Sequence, residues 1–208
     1  MTIPFQKVNN HPMGKAPRLP ASISMIISAF SFAMMSAAVK YAVEIPFIQK
    51  VFFRNFVMVL MIAPILLVTS RKAGVMVFTG SRGNRKRLFI RSVFGFFGVV
   101  LYFFSVERLY LGDSAMLNKL SAFFVIILSA VFLKEKIRRY HIPALAAAFT
   151  GALLIIKPGF SMLIVPALAG LGASMLAACA YTLIASLRGR ENPLTIIFWF
   201  SAISTAAA

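Results

Sequence analysis

The chain reads as an all-α integral membrane protein, a polytopic helical bundle, and three observations carry that reading. Seven long apolar stretches follow one another along its 208 residues. Hydrophobic residues make up 60% of it and charged residues 13%, with a mean hydropathy of +0.87, which leaves too little polar surface to coat a soluble globule of this size. The Lys and Arg residues gather in the connections after every second stretch, as cytoplasmic anchors do. A net charge of +17 could suggest nucleic acid, but its distribution in short clusters between apolar runs points to the lipid bilayer as partner and not to nucleic acid.

Residues 1–20 are polar, with prolines at 4, 12, 17 and 20, and are expected to form a disordered cytoplasmic tail. The first run, Ala21–Val39, holds 19 residues without a charge, long enough at about 1.5 Å per residue to cross most of a roughly 30 Å hydrocarbon layer. It is longer than a usual signal-peptide core and lacks a clear small-residue cleavage site, so a retained helix is predicted. The seven spans are read as 21–41, 47–69, 89–109, 114–133, 141–157, 165–187 and 193–208. All should be helices, because lipid offers backbone groups no other partner and no period-two barrel pattern appears. The uncharged cores of the third and fourth, Ser92–Val106 and Leu120–Leu133, are short, and snorkelling cations at their ends would complete them.

Fifteen basic residues fall in the tail and the even connections and four in the odd ones, which predicts a cytoplasmic N-terminus. The sequence also resembles itself at an offset of 147 residues: Ala33, Ala38, Glu44, Pro46 and Phe53 fall on Ala180, Ala185, Glu191, Pro193 and Phe200. A repeat of five helices, an odd number, would place the second copy upside down in the membrane, as in many secondary transporters. The last apolar run stops at Thr205-Ala-Ala-Ala without flanking charge, as a chain cut short would.

Phe52-Phe53-Arg54-Asn55 in the second span, Ile90-Arg91-Ser92 at the start of the third and Leu109-Tyr-Leu-Gly-Asp-Ser-Ala115 before the fourth resemble the EamA-type drug/metabolite transporters. Met116-Leu-Asn-Lys-Leu-Ser121, Phe132-Leu-Lys-Glu-Lys136 and Gly151-Ala-Leu-Leu-Ile-Ile-Lys-Pro158 extend the resemblance. It implies a first five-helix repeat over 21–160, an incomplete second repeat over 165–208, and about seven helices present of an expected ten. Many relatives carry proline where this chain has Ala122, which leaves a bend in the fourth span open.

Charges inside the membrane are costly, so Arg54 and Lys119 are the first candidates for substrate binding. Each lies one to two turns from the outer side, and together they would attract a carboxylate or phosphate in a shared vestibule. The plainer alternative is that each snorkels outward or pairs with Glu44, Glu107 or Asp113. Asn118 beside Lys119, Tyr102 in the third span and Ser31 in the first complete the candidate set. Ser24, Ser28, Ser31 and Met35 share one helical face, as do Ser92, Gly95, Gly98, Tyr102 and Ser105. Small residues at such spacing, including Gly170, Ala173 and Ala177, more often bring helices close together than line a cavity. Lys134-Glu135-Lys136 could gate, though a solvated cluster of loop charges is the simpler reading.

The sole cysteine, Cys179, lies in an apolar run and reads as a packing residue. His11 and His141 have no companions at metal-ligand spacing, no phosphate-binding Gly-rich loop is present, and no catalytic constellation lies within the spans, so neither cofactor, metal nor enzymatic chemistry is expected. The function predicted is secondary or facilitative transport of a small metabolite, amino-acid-like or another small organic solute, by alternating access in the inner membrane. The competing reading is a membrane scaffold or a half-unit that works only with a partner, a homodimer among the options.

Overall fold

The computed structural model describes residues 20–73, 78–132, 141–156 and 164–208. Most of the expected tail, His11, the Lys134-Glu135-Lys136 cluster and the Lys157-Pro158 end of the fifth span lie outside these residues. Among the described residues there are eight α-helices, one 3-10 turn and no strand. They are α1 (Ala21–Tyr41), α2 (Phe47–Ala73), α3 (Arg85–Arg108), α4 (Leu111–Lys119), α5 (Ser121–Phe132), α6 (His141–Ile156), α7 (Ile164–Leu187) and α8 (Pro193–Ala207). Five segments are long and apolar enough to cross a membrane, with α4 and α5 counting as one over Leu111–Phe132. The protein is therefore a multi-pass, all-α membrane protein.

Helix boundaries follow local chemistry. Pro193 opens α8 at its first position, where a missing N–H costs nothing, and the Asn192 side chain accepts from the Leu194 N–H at 2.9 Å to cap it. The third span begins earlier than its apolar core suggests: Arg85, Lys86 and Arg87 form the first turn of α3, so Arg91 lies in the second turn and not at the opening. Long cationic side chains make this cheap, since their heads reach water from a helix start. The α4/α5 span is interrupted at Leu120 without a proline. Leu120 N–H donates to the Leu117 carbonyl at 3.1 Å and Phe123 N–H to Leu120 at 2.9 Å, a tightened three-residue pattern.

Helix α3 is the hub. It packs most extensively on α7, and with α2 and α8 it forms the centre of the bundle. Small residues explain the α3 to α7 approach: a methyl on Gly98 would sit 3.5 Å from the Ala173 carbonyl and the Ala177 nitrogen. One on Gly170 would lie 2.7 Å from Ser105 Oγ. The stripe of Ser92, Gly98, Tyr102 and Ser105, all buried, is thus mainly a packing face. Helix α1, by contrast, is exposed from Ser22 to Ser31, so its serine stripe encloses nothing among the described residues.

One end of α1, α2 and α3 is fastened by charge. Lys50 pairs with Glu107 at 2.5 Å and also donates to the Val39 carbonyl at 3.0 Å. Lys40 donates to the carbonyls of Glu107 and Leu109, two of the free acceptors at the end of α3. At the opposite end, Glu191 accepts from Ser81 N–H at 2.9 Å and Asn84 Nδ2 at 2.8 Å, while Trp199 Nε1 donates to the Phe78 carbonyl at 2.9 Å. The segment before α3 is therefore tied to the start of α8.

Candidate functional site

Arg54, Arg91 and Lys119 fall into two groups. The first is built by α2, α3 and α8 around Phe200, whose side chain is buried. The Arg91 guanidinium carbon lies 4.4 Å from the centroid of that ring and the Arg54 carbon 6.0 Å, so one aromatic face system serves two cations. Gly95 makes the arrangement sterically feasible: a Cβ there would approach two carbons of the Phe200 ring to 2.8 and 2.9 Å. Asn55, fully buried next to Arg54, donates to the Val51 carbonyl at 2.8 Å, which aims its oxygen toward Arg54 Nη1 at 3.4 Å.

These contacts leave the charge unsatisfied. Nε and Nη1 of Arg91 are buried and have no hydrogen-bond partner. No carboxylate pairs with either arginine, because among the described residues the one ion pair is Lys50 with Glu107. A ring quadrupole contributes on the order of 1–2 kcal/mol to a cation, less than its loss of water costs. A guanidinium with free donors beside a second one is suited to hold an anion, bidentately where it is a carboxylate or phosphate.

The second group lies further along α3. Tyr102 and Ser36 share a hydrogen bond of 2.9 Å, Phe32 stacks on the Tyr102 ring at 5.6 Å, and Lys119 Nζ stands 5.8 Å from the Phe32 centroid. Tyr102 is 11 residues beyond Arg91, about 16 Å along the helix. Lys119 is exposed at the end of α4, Asn118 is half-buried beside it, and Ser31 is exposed on α1 next to Phe32. Thus Tyr102 and Lys119 are brought together through Phe32, whereas Arg54 joins Arg91 and not Lys119.

Arg91, Phe200 and Asn55 were not singled out as site residues by the sequence, and Gly95 stood only in the small-residue face read mainly as packing. Arg91 stands in the sequence as a charge at a helix opening, an ordinary snorkelling position, and only the earlier start of α3 carries it inward. Phe200 had one signal, its alignment with Phe53 in the internal repeat, but nothing local relates a phenylalanine of α8 to an arginine of α2.

Residues 19–157 match the EamA-like transporter family. The chain is 36% identical over 185 residues to the pseudopaline exporter CntI of Pseudomonas aeruginosa, covering 88% of this chain and 63% of that protein. Solute carrier family 35 member G1 of Mus musculus is 32% identical over 135 residues, 65% of this chain and 35% of its own length. An uncharacterized transporter of Helicobacter pylori is 25% identical over 182 residues, 86% and 60% of the two chains. The chain therefore spans less than two thirds of the length of these relatives. No solved structure matches it at a significant level.

Proposed function

The chain belongs to the EamA-like transporter family, and from that premise we propose that it carries a small organic anion across the membrane, held by Arg54 and Arg91. The observation that carries this reading is the pair of buried Arg91 nitrogens without partners beside a second guanidinium. A carboxylate supplies the acceptors that the two Arg91 nitrogens lack and replaces a ring contact with charge-assisted hydrogen bonds. Lys119, with Asn118, Tyr102 and Ser31, forms a second polar station about 16 Å away along α3, where the same charge is met on entry or exit.

Alternating access is the mechanism the architecture supports best. Helices α2 and α8, which start at or just after the aligned Pro46 and Pro193, pack directly against each other, as symmetry mates around a central site do. Residues 21–160 then form one repeat and 165–208 the start of its inverted copy, with the N-terminus in the cytoplasm and the protein in the inner membrane. The relation to an exporter favours outward movement of the solute.

Transport by membrane vesicles from cells expressing the protein tests this. Arg91→Gln should lower flux of a carboxylate-bearing solute about tenfold or more, the scale of one lost charge-assisted contact, with unchanged membrane insertion. Flux at the wild-type rate in both Arg91→Gln and Arg54→Gln would remove the pair from the pathway.

A further inference from the structure

A cleft of about 510 Å³ opens between α3, α5 and α7, away from the Phe200 site. Phe94 of α3, Leu128 and Phe132 of α5 and Cys179 of α7 wall it, and Arg87 and Arg190 stand in its lining. The two arginines belong to the membrane boundary: Arg87 lies in the first turn of α3, and Arg190 follows the end of α7. Both are exposed, and neither is paired with a carboxylate among the described residues. The acid nearest in sequence, Glu191, is committed to Ser81 and Asn84.

An apolar slot between helices that carries two free guanidiniums at headgroup depth has the chemistry of one kind of ligand. We infer that the cleft is a site for a single anionic phospholipid, its phosphate held by Arg87 and Arg190 and an acyl chain laid against Phe94, Leu128 and Phe132. The size is that of a specific small-molecule site, and the walls away from the two arginines are mainly aromatic and aliphatic, with Thr182 and Ser186 the other polar side chains, which suits a hydrocarbon chain. Charge complementarity selects the lipid: a phosphate diester accepts from both arginines, whereas a zwitterionic lipid brings its own cation to the same place. Lipid held there would bridge α3 and α7, the most extensive helix pair of the bundle. The site stands independently of the solute that the Phe200 pair receives.

Cys179, the sole cysteine and part of the cleft wall, reports occupancy directly. The purified protein in dodecyl maltoside is treated with N-ethylmaleimide while phosphatidylglycerol, phosphatidylcholine or inorganic phosphate is added. Phosphatidylglycerol should slow Cys179 alkylation several-fold and saturate, with phosphatidylcholine and phosphate far weaker. In Arg87→Gln/Arg190→Gln the lipid concentration for half-protection should rise about tenfold or more, from two contacts each worth about a fivefold factor near a surface, and Arg87→Lys/Arg190→Lys should restore most of it. Equal protection by the two lipids, protection by phosphate alone, or undiminished protection in the glutamine variant would each overturn the assignment. Since alkylation is read without transport, the result is separate from the fate of Arg54 and Arg91.

Discussion

Arg91 concentrates the energetic problem of this fold in one side chain: two nitrogens hidden from water, an aromatic ring at 4.4 Å, and no acceptor. A group so placed should be tolerated for function and not for stability. Arg91→Met is therefore expected to leave the protein as stable as before or slightly more so, by thermal unfolding in detergent, while weakening binding of an organic anion by about 2 kcal/mol. A large loss of stability with intact binding would make Arg91 a structural residue. Gly95 answers the steric side of the same site. In Gly95→Val a side chain must displace the Phe200 ring, and overpacking of this kind costs about 1–3 kcal/mol; unfolding at the wild-type temperature would show that the ring moves freely. Arg54 was legible in the sequence as a charge deep in an apolar run. Its partner was not, because Phe200 is 146 positions away and only the packing of α2 on α8 joins them.

At the scale of elements, the helices were legible to within about four residues at each end, although among the described residues five segments, not the seven read, are long and apolar enough to cross a membrane. Lipid permits one backbone solution, so the apolar runs and the helices coincide, as at 21–41 and Ala21–Tyr41. The exceptions have physical causes: α3 extends through Arg85, Lys86 and Arg87 because those side chains reach water, and the fourth span breaks at Leu120 with no proline at the break. The small-residue stripes were ambiguous between cavity and seam, and periodicity alone does not separate the two. The α3 to α7 seam resolves them for Gly98, Ser105 and Gly170. In Gly170→Leu the new side chain meets Ser105 and Leu117, whose atoms already lie 2.7 and 3.1 Å from a Cβ, so the helices must part. The expected outcome is faster unfolding in detergent and loss of lipid protection at Cys179, which faces the same helix pair.

For the whole molecule, two fastenings at opposite ends hold the bundle: Lys50 with Glu107 and Lys40 at one, Glu191 with Ser81 and Asn84 at the other. Lys50→Met strands the Glu107 carboxylate in a half-covered position, and about 2 kcal/mol of destabilisation is expected, less than for a fully enclosed pair because Glu107 keeps some exposure. Glu107→Gln/Lys50→Met should recover part of that loss. The two ends also give a test of the proposed sidedness. With Cys179 replaced by alanine, a cysteine at Ser81 should resist an impermeant external thiol reagent and one at Val43 should react, both positions being exposed; the reverse labelling would invert the proposed orientation.

The claim on which the account rests is that an anionic solute binds against Arg54, Arg91 and Phe200. Trp199, the sole tryptophan, adjoins Phe200 on α8 and is held by the Phe78 carbonyl, so its emission reports on that site. Titration of the purified protein with short organic acids and their amides, followed by Trp199 fluorescence, is the direct measurement. A saturable change with the acids, weaker by about tenfold or more with the amides and in Arg91→Gln, is the result expected. An identical response to acids and amides, or one unchanged in Arg54→Gln and Arg91→Gln alike, would contradict it.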